Sequence, residues 1–410
     1  MNILFLTQYY PPETGACANR ISGFARYLAS QQHTVTVLTG FPHYPLQQLY
    51  PGYKVSWCQP DTDGLVRLLR CWLLTLPASS PWHRLLTYLG FFVSALWAGC
   101  FRAGPQEVVV ATSGPIFVGV AGALLAWIKG VPFVLDVRDL WPERVVVAGE
   151  LRNRLLIWLL ERLETFMYWR AAQLVCVTDG LRQKLRQKGI AERHLEMIPN
   201  GTDPDLYQAA APAPDAFVPF GVPAGRFVIV YAGTLGLLQD HDLFLRTAEA
   251  IQASPDMYLV LIGEGVKRPL LQQEASKRHL TRLRLVPNMP RDQLATLLPS
   301  AQLGINANTA VEHNIMAIPV KMFDYMACGL PVVVANAGEV RAIVEDAQAG
   351  VCTPPGDVAG FVQALRRLYE HPGQRAEMGA RGRRLLLERY ATRVLARRFE
   401  TLLVQQKHKA

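Results

Sequence analysis

The chain has 410 residues, half of them hydrophobic and only 18% charged; this excludes a disordered chain, and the length suits two domains better than one core. A net charge of +9 favours anionic partners such as nucleotide phosphates or anionic lipid headgroups. No long Lys/Arg block, zinc-finger spacing or aromatic RNA signature is present, which argues against nucleic acid.

The seven cysteines are scattered without a C-x-x-C pair and read as small buried hydrophobes in a reducing cytoplasm. The N-terminus runs directly into a strand pattern without a basic leader, so no signal peptide is expected. Residues 2–7 (NILFLT) predict a strand, followed by a Pro/Gly loop and a helix, the first βα unit of a parallel sheet. Gly15 precedes that helix, where backbone N–H groups meet a diphosphate or where a turn simply needs a glycine. The loop lacks the G-x-G-x-x-G spacing of a dinucleotide site, which weakens an oxidoreductase reading. Residues 34–39 are the second strand. His43 follows in a proline-bounded loop, either as a polar group for an acceptor or as a surface histidine.

Residues 65–76 and 85–101 are unusually apolar. The second run carries no charge between Arg84 and Arg102. It reads either as a buried core helix or as a helix lying in the headgroup layer, helped by Trp72, Trp82 and Trp97; it is short for a full span. Residues 107–112 and 131–137 are further buried strands. The second leads into RDLWPE (138–143), which puts Arg138 and Asp139 where ligands bind in open α/β sheets. Ion pairing of Arg138 with Asp139 or Glu143 is the competing account. An amphipathic helix (151–172), a strand (174–178) and a helix (179–188) lead to MIPNGTD (197–203) and a Pro/Ala stretch.

A second alternating α/β series begins with the strand at 227–232 and GTLGLLQD. It continues through the strand at 258–263 with GEG and residues 283–286 with PNMPRDQL, and residues 301–307 lead into the stretch that follows. Residues 321–334 predict a short helix, a left-handed stop at Gly329 and a buried strand VVVA. Lys321 and Asp324 on that helix suit a phosphate-and-sugar ligand, or form an ordinary i, i+3 surface pair. Two helices, 357–370 and 374–408, close the chain.

The string DYMACGLPVVV (324–334) resembles the signature of the retaining nucleotide-sugar glycosyltransferases of family 4, with Asp324 in place of that family's second Glu. The family's first Glu falls on Met316, and Glu312 is either its substitute or an exposed loop acid. The P-x-K-x-F-D-Y-M-A-x-G form and RDLWPE are similar to a bacterial polysaccharide subgroup that includes transferases of lipid-linked aminodeoxysugars. The resemblance implies a GT-B fold: two Rossmann-like domains across a cleft, residues 1–205 on the acceptor side and 206–389 on the donor side, with 390–410 packing back on the first. It implies a retaining glycosyltransferase moving a sugar, such as an N-acetylated deoxysugar, from a UDP-linked donor. The acceptor would be a polyprenyl-diphosphate-linked saccharide, in O-antigen, capsule or exopolysaccharide synthesis at the inner face of the plasma membrane.

The expected catalytic residues are Asp324, Lys321, Asp139 and Arg138. The expected donor contacts are Gly15, Gly233, Thr234, Gly236, Gly263, Glu264, Lys267, Val286, Pro287, Asn314, Met316 and Ile318, with Lys321 and Asp324. Thr234 and Gln239 replace the family's phosphate-binding Arg and Lys, so the missing cation is expected from Lys321 or Lys267. No metal and no cofactor are expected. Those replacements also leave open a GT-B subunit that binds lipid or a partner enzyme without catalysis; an epimerase on the same fold is a third reading.

Overall fold

A computed structural model describes residues 1–44, 48–75, 81–143, 146, 151, 153–207 and 211–409, without the side chains of 81, 312 and 313. The chain forms two units: Met1–Asn200 with Leu395–Ala410, and Gly201–Val394.

The first unit carries strands β1 (Asn2–Leu6), β2 (Thr34–Gly40), β3 (Cys58–Asp63), β4 (Val66–Cys71), β5 (Val108–Thr112), β6 (Phe133–Val137), β7 (Gln173–Cys176) and β8 (Leu195–Met197). They form one sheet in the order β3-β4-β2-β1-β5-β6-β7-β8. All pairings are parallel except β3 with β4. Its helices are α1 (Ala16–Ser30), α2 (Pro81–Phe101), α3 (Ile116–Lys129), α4 (Arg154–Arg170) and α5 (Asp179–Gln187). The central strands are continuous apolar runs because helices cover both faces. Ile3, Phe5, Val108 and Val110 pack with α1 on one face, and Leu4, Leu6, Val109 and Ala111 with α2 and α3 on the other.

The second unit has a six-stranded parallel sheet of β9 (Phe227–Ala232), β10 (Met257–Ile262), β11 (Leu283–Val286), β12 (Leu303–Ala307), β13 (Val332–Ala335) and β14 (Gly350–Thr353), in the order β11-β10-β9-β12-β13-β14. Its helices are α6 (His241–Ala250), α7 (Arg268–Lys277), α8 (Arg291–Leu297), α9 (Glu312–Ile315), α10 (Val320–Ala327), α11 (Glu339–Asp346), α12 (Val358–Glu370) and α13 (Pro372–Leu385). The last helix, α14 (Thr392–Lys409), starts here, and from Leu395 it belongs to the first unit, where Leu395, Phe399 and Leu403 join the core beside α1.

The parallel strands of each sheet reverse their order once, between β1 and β5 in the first unit and between β9 and β12 in the second. In open α/β sheets, ligands bind at the carboxyl ends of the strands at such a reversal.

Within the apolar run 65–76, residues 66–71 pair antiparallel with residues 58–63 in a hairpin turning at Gly64, with Pro60 on its edge strand. One expectation is corrected. The closing helix is not continuous from 374 to 408. A π segment, Leu386–Tyr390, ends in extended backbone at Ala391, where Thr202 donates to the Tyr390 carbonyl and accepts from the Thr392 N–H.

Candidate active site

The reversal in the second sheet is organised around Lys321. Pro319 starts α10 with a β-region backbone, and the helix sets Lys321 in its first turn. Its Nζ donates to the Tyr231 hydroxyl at 2.9 Å and lies 4.2 Å from the centre of that ring. Asn306 Oδ1, from β12, is 3.5 Å away. Tyr231 in turn donates to the Thr234 carbonyl at 2.7 Å. The ammonium therefore sits between the ends of the two strands that flank the reversal. Burial pushes it down to about 7, against a smaller upward pull from Asp324.

Gly233 makes room for this side chain: a Cβ on it would lie 2.6 Å from Lys321 Cε. Gly263 and Gly265 are needed because the neighbouring loop passes as closely, 1.9 Å from the Gly233 carbonyl oxygen and 2.3 Å from that of Leu235 to a built Cβ. The N–H groups of Gly233 and Gly263 donate to Ile262 and Val286, and that of Gly236 to Gln239 Oε1. Of the expected phosphate donors Gly233, Thr234, Gly236 and Gly263, Thr234 is the one whose N–H and hydroxyl have no partner among the described residues.

Asp324, three residues after Lys321, turns to a different set. Its Oδ1 accepts from the Thr202 hydroxyl at 2.6 Å, and Arg291 Nη2 donates to the same hydroxyl oxygen at 2.6 Å while lying 3.7 Å from the carboxylate. The i, i+3 pairing with Lys321 is not formed. Tyr207 lies beside this group; burial and then Asp324 push its hydroxyl well up. Helix α10 ends in a Schellman turn, with Leu330 donating to Tyr325, Gly329 to Met326, and Gly329 at a left-handed φ of 70°.

The remaining expected donor residues spread around this centre. Asn314 is buried and clamps two loops: its Nδ2 donates to Leu238 and Thr309 carbonyls, both at 2.8 Å. Met316 is partly buried and Ile318 fully so. Glu264 is exposed, 3.6 Å from Arg268. Lys267 starts the neighbouring helix, where burial and then its charge push the His241 imidazole down. Val286 is buried at the end of β11 and Pro287 is exposed after it. The Glu312 side chain lies outside the described residues.

In the first unit, Gly15 opens α1 and Arg20 on that helix is buried against Asp136 at the end of β6, 2.9 Å away, while also donating to the Pro199 carbonyl. Arg138 and Asp139 follow β6 and are held by Ser113, which accepts from the Arg138 N–H and donates to the Asp139 carbonyl. Glu143 pairs with Lys188 at 3.5 Å instead of with Arg138. Arg138 Nη1 is buried without a partner among the described residues, as are the Gln8 amide, Thr112 Oγ1, His43 Nε2 and Trp141 Nε1. These atoms come from the carboxyl ends of β1, β2, β5 and β6.

His43 is fully buried, which corrects the surface reading. Its Nδ1 donates to the Phe41 carbonyl at 2.8 Å, and burial pushes the imidazole down, leaving a neutral ring with a bare Nε2. Glu13 holds the loop beneath it, accepting from the N–H groups of His43, Tyr44 and Tyr10 at 2.9, 2.9 and 3.2 Å. The chain also contains three Asp-x-Asp strings. Asp61 accepts from Arg70, Asp63 from Tyr10 and Arg26, Asp240 caps α6, Asp242 pairs with Arg246, and Asp203 caps the Asp205 N–H.

Residues 15–201 match the glycosyl transferase 4-like domain, and residues 226–371 match the glycosyl transferases group 1 domain. The chain belongs to glycosyltransferase family 4. This family 4 enzyme is 23% identical over 378 residues to WcaI of Escherichia coli K12, named for colanic acid biosynthesis, covering 90% of this chain and 92% of that one. Two solved structures have its GT-B fold. Sucrose-phosphate synthase from Thermosynechococcus elongatus superimposes with a TM-score of 0.76 at 16% identity, over all of both chains. Anabaena HepE in complex with UDP-glucose does so with a TM-score of 0.71 at 16% identity, over 99% of this glycosyltransferase and 100% of HepE.

Proposed function

We propose that this glycosyltransferase is a retaining enzyme that moves a sugar from a UDP-linked donor to a saccharide carried on polyprenyl diphosphate, in surface polysaccharide assembly at the cytoplasmic face of the plasma membrane. The observation that carries the reading is Lys321, a single amine seated between Tyr231 and Asn306 at the reversal of the second sheet. A UDP donor is supported by the UDP-glucose complex of HepE, and a polysaccharide role by the likeness to WcaI.

The reaction breaks the bond from the anomeric carbon to the β-phosphate oxygen and forms one to an acceptor hydroxyl oxygen on the same face. The hydroxyl proton passes to the departing phosphate, and UDP leaves. Negative charge grows on the diphosphate, and a cation aimed at it lowers the barrier. Lys321 and the open Thr234 N–H and hydroxyl supply that stabilisation. Asp324 retains acceptor capacity for the ribose hydroxyls, because a carboxylate takes about four hydrogen bonds and Thr202 and Arg291 occupy one oxygen. In the first unit, Gln8, His43 Nε2, Thr112 and Arg138 offer unpartnered polar atoms to the acceptor saccharide.

The test is transfer by the purified chain with a panel of UDP-sugars and a membrane lipid extract. Lys321→Ala and Asp324→Ala are each expected to lower turnover at least about tenfold, or ~1.4 kcal/mol. Wild-type turnover in Lys321→Ala overturns the phosphate role. A thermal shift with a UDP-sugar counts against the non-catalytic reading; no shift with any UDP-sugar and no transfer favour it.

A further inference from the structure

Helices α2, α3 and α4 lie side by side on one face of the first sheet, with α3 in the middle. The surface they turn away from the sheet is apolar. On α2 it consists of Trp82, Leu86, Val93, Trp97 and Phe101, which fall within about 100° of the helix circumference at 100° per residue. On α4 it is a stripe of Leu155, Trp158, Leu159 and Trp169 with exposed Arg162 among them. The middle helix ends in exposed Trp127 and Ile128 and carries no charge before Lys129. Exposure reaches 79% at Trp169, 67% at Trp82, 64% at Trp127 and 51% at Trp158. Five of the chain's eight tryptophans stand on this layer. An aromatic face this large on a folded unit marks a contact surface.

Charge selects the occupant. Residues 81–102, 116–129 and 154–170 contain Arg84, Arg102, Lys129, Arg154, Arg162 and Arg170. Their acids are Glu161 and Glu164, and Glu164 is buried against Lys188. Arg162 stacks over Trp158, 5.3 Å from the ring centre. A second copy docking through the same face would set these cations against their own images. An anionic bilayer meets both features: indole rings favour the headgroup layer, and arginines favour acidic lipid.

The same geometry fixes how α2 lies. By length and composition, Trp82–Phe101 is the one helix among the described residues able to cross a membrane. Yet Phe91, Ala95 and Ala98 are packed in the core, and the hydroxyls of Ser94 and Thr87 donate to the Trp72 and Leu74 carbonyls. Crossing would tear out that half of the helix. The core-helix and headgroup-layer readings of this segment are thus two faces of one helix.

We propose that the outer surface of α2, α3 and α4 is a membrane-docking face that binds anionic lipid while these helices remain folded on their sheet. This does not depend on which sugar or acceptor the enzyme uses.

The experiment is co-sedimentation of the full chain with vesicles of phosphatidylcholine alone or with one third phosphatidylglycerol. The chain should pellet with the anionic vesicles, with a blue shift in tryptophan fluorescence, and much less with the neutral ones. The triple variant Trp127→Ser/Trp158→Ser/Trp169→Ser should lose at least about tenfold in partitioning, with an unchanged melting temperature. The charge variant Arg84→Glu/Arg162→Glu should lose the preference for anionic vesicles while keeping the indoles. Equal pelleting by the triple variant, or no pelleting by the wild type, overturns the proposal. So does a wild-type dimer that becomes a monomer in the triple variant without a change in vesicle binding, which would make the face an interface between copies.

Discussion

The missing side chain of Gly233 and the Cε of Lys321 occupy the same space: a Cβ built on the glycine would lie 2.6 Å from that carbon. The glycine is therefore a condition for the position of the amine. Gly233→Ala should displace Lys321 from Tyr231 and weaken UDP binding about as much as Lys321→Ala does. Isothermal titration of both variants with UDP checks this; normal affinity in Gly233→Ala with a lost one in Lys321→Ala would show that the amine adapts.

Proton linkage at Lys321 gives a second prediction. Burial pushes the amine of the unliganded enzyme down to about 7, below its ordinary value. A bound diphosphate favours the charged form and raises that value. Above pH 7 the empty enzyme is largely neutral at this position, so UDP must bring a proton in. Affinity should fall as pH rises above 7, by up to about tenfold per pH unit. Titrations at pH 8 in buffers of different ionisation enthalpy should report proton uptake, and Lys321→Met should abolish it.

The buried pair of Arg20 and Asp136 ties α1 to the end of β6. Removing one partner leaves the other charge buried, at a cost of about 3–5 kcal/mol. Asp136→Ala should show that loss in urea denaturation. The double variant Arg20→Met/Asp136→Leu should recover most of it, since two apolar side chains leave no stranded charge.

The buried Glu13 carboxylate accepts three backbone N–H groups. Glu13→Ala strands them, and about 1–3 kcal/mol per buried donor sets the scale. Burial raises this carboxyl to about 7, above its unfolded value. The folded state therefore holds more protons between pH 4.5 and 7, and this group's contribution to stability is lost as pH rises through 7. A Glu13→Gln variant, which cannot titrate, should flatten the melting temperature across that window.

Both sheets were legible because buried parallel strands are continuous apolar runs, as VVVAT and FVIVYA are, and because Gly329 is the one position after α10 where the chain needs a left-handed residue. The strand Cys58–Asp63 was not, since CQPDTD is polar, holds a proline and is tolerated only at an edge. The break at Ala391 was hidden because it comes from pairing with Thr202, nearly two hundred residues earlier. At the site, Lys321 and Asp324 stood out as charges on an apolar helix. Their partners did not: Tyr231 and Asn306 sit in strands that read as core, and Thr202 and Arg291 meet Asp324 only through the fold. The burial of His43 was not legible because its ring is held by the Phe41 carbonyl and its backbone N–H by a glutamate thirty residues away.

Asn314 staples the loop after β12 to the carbonyl of Leu238 in the loop after β9. With that staple in place the two loops cannot lengthen or slide independently. Insertions in either loop should therefore be rare wherever an asparagine holds this position.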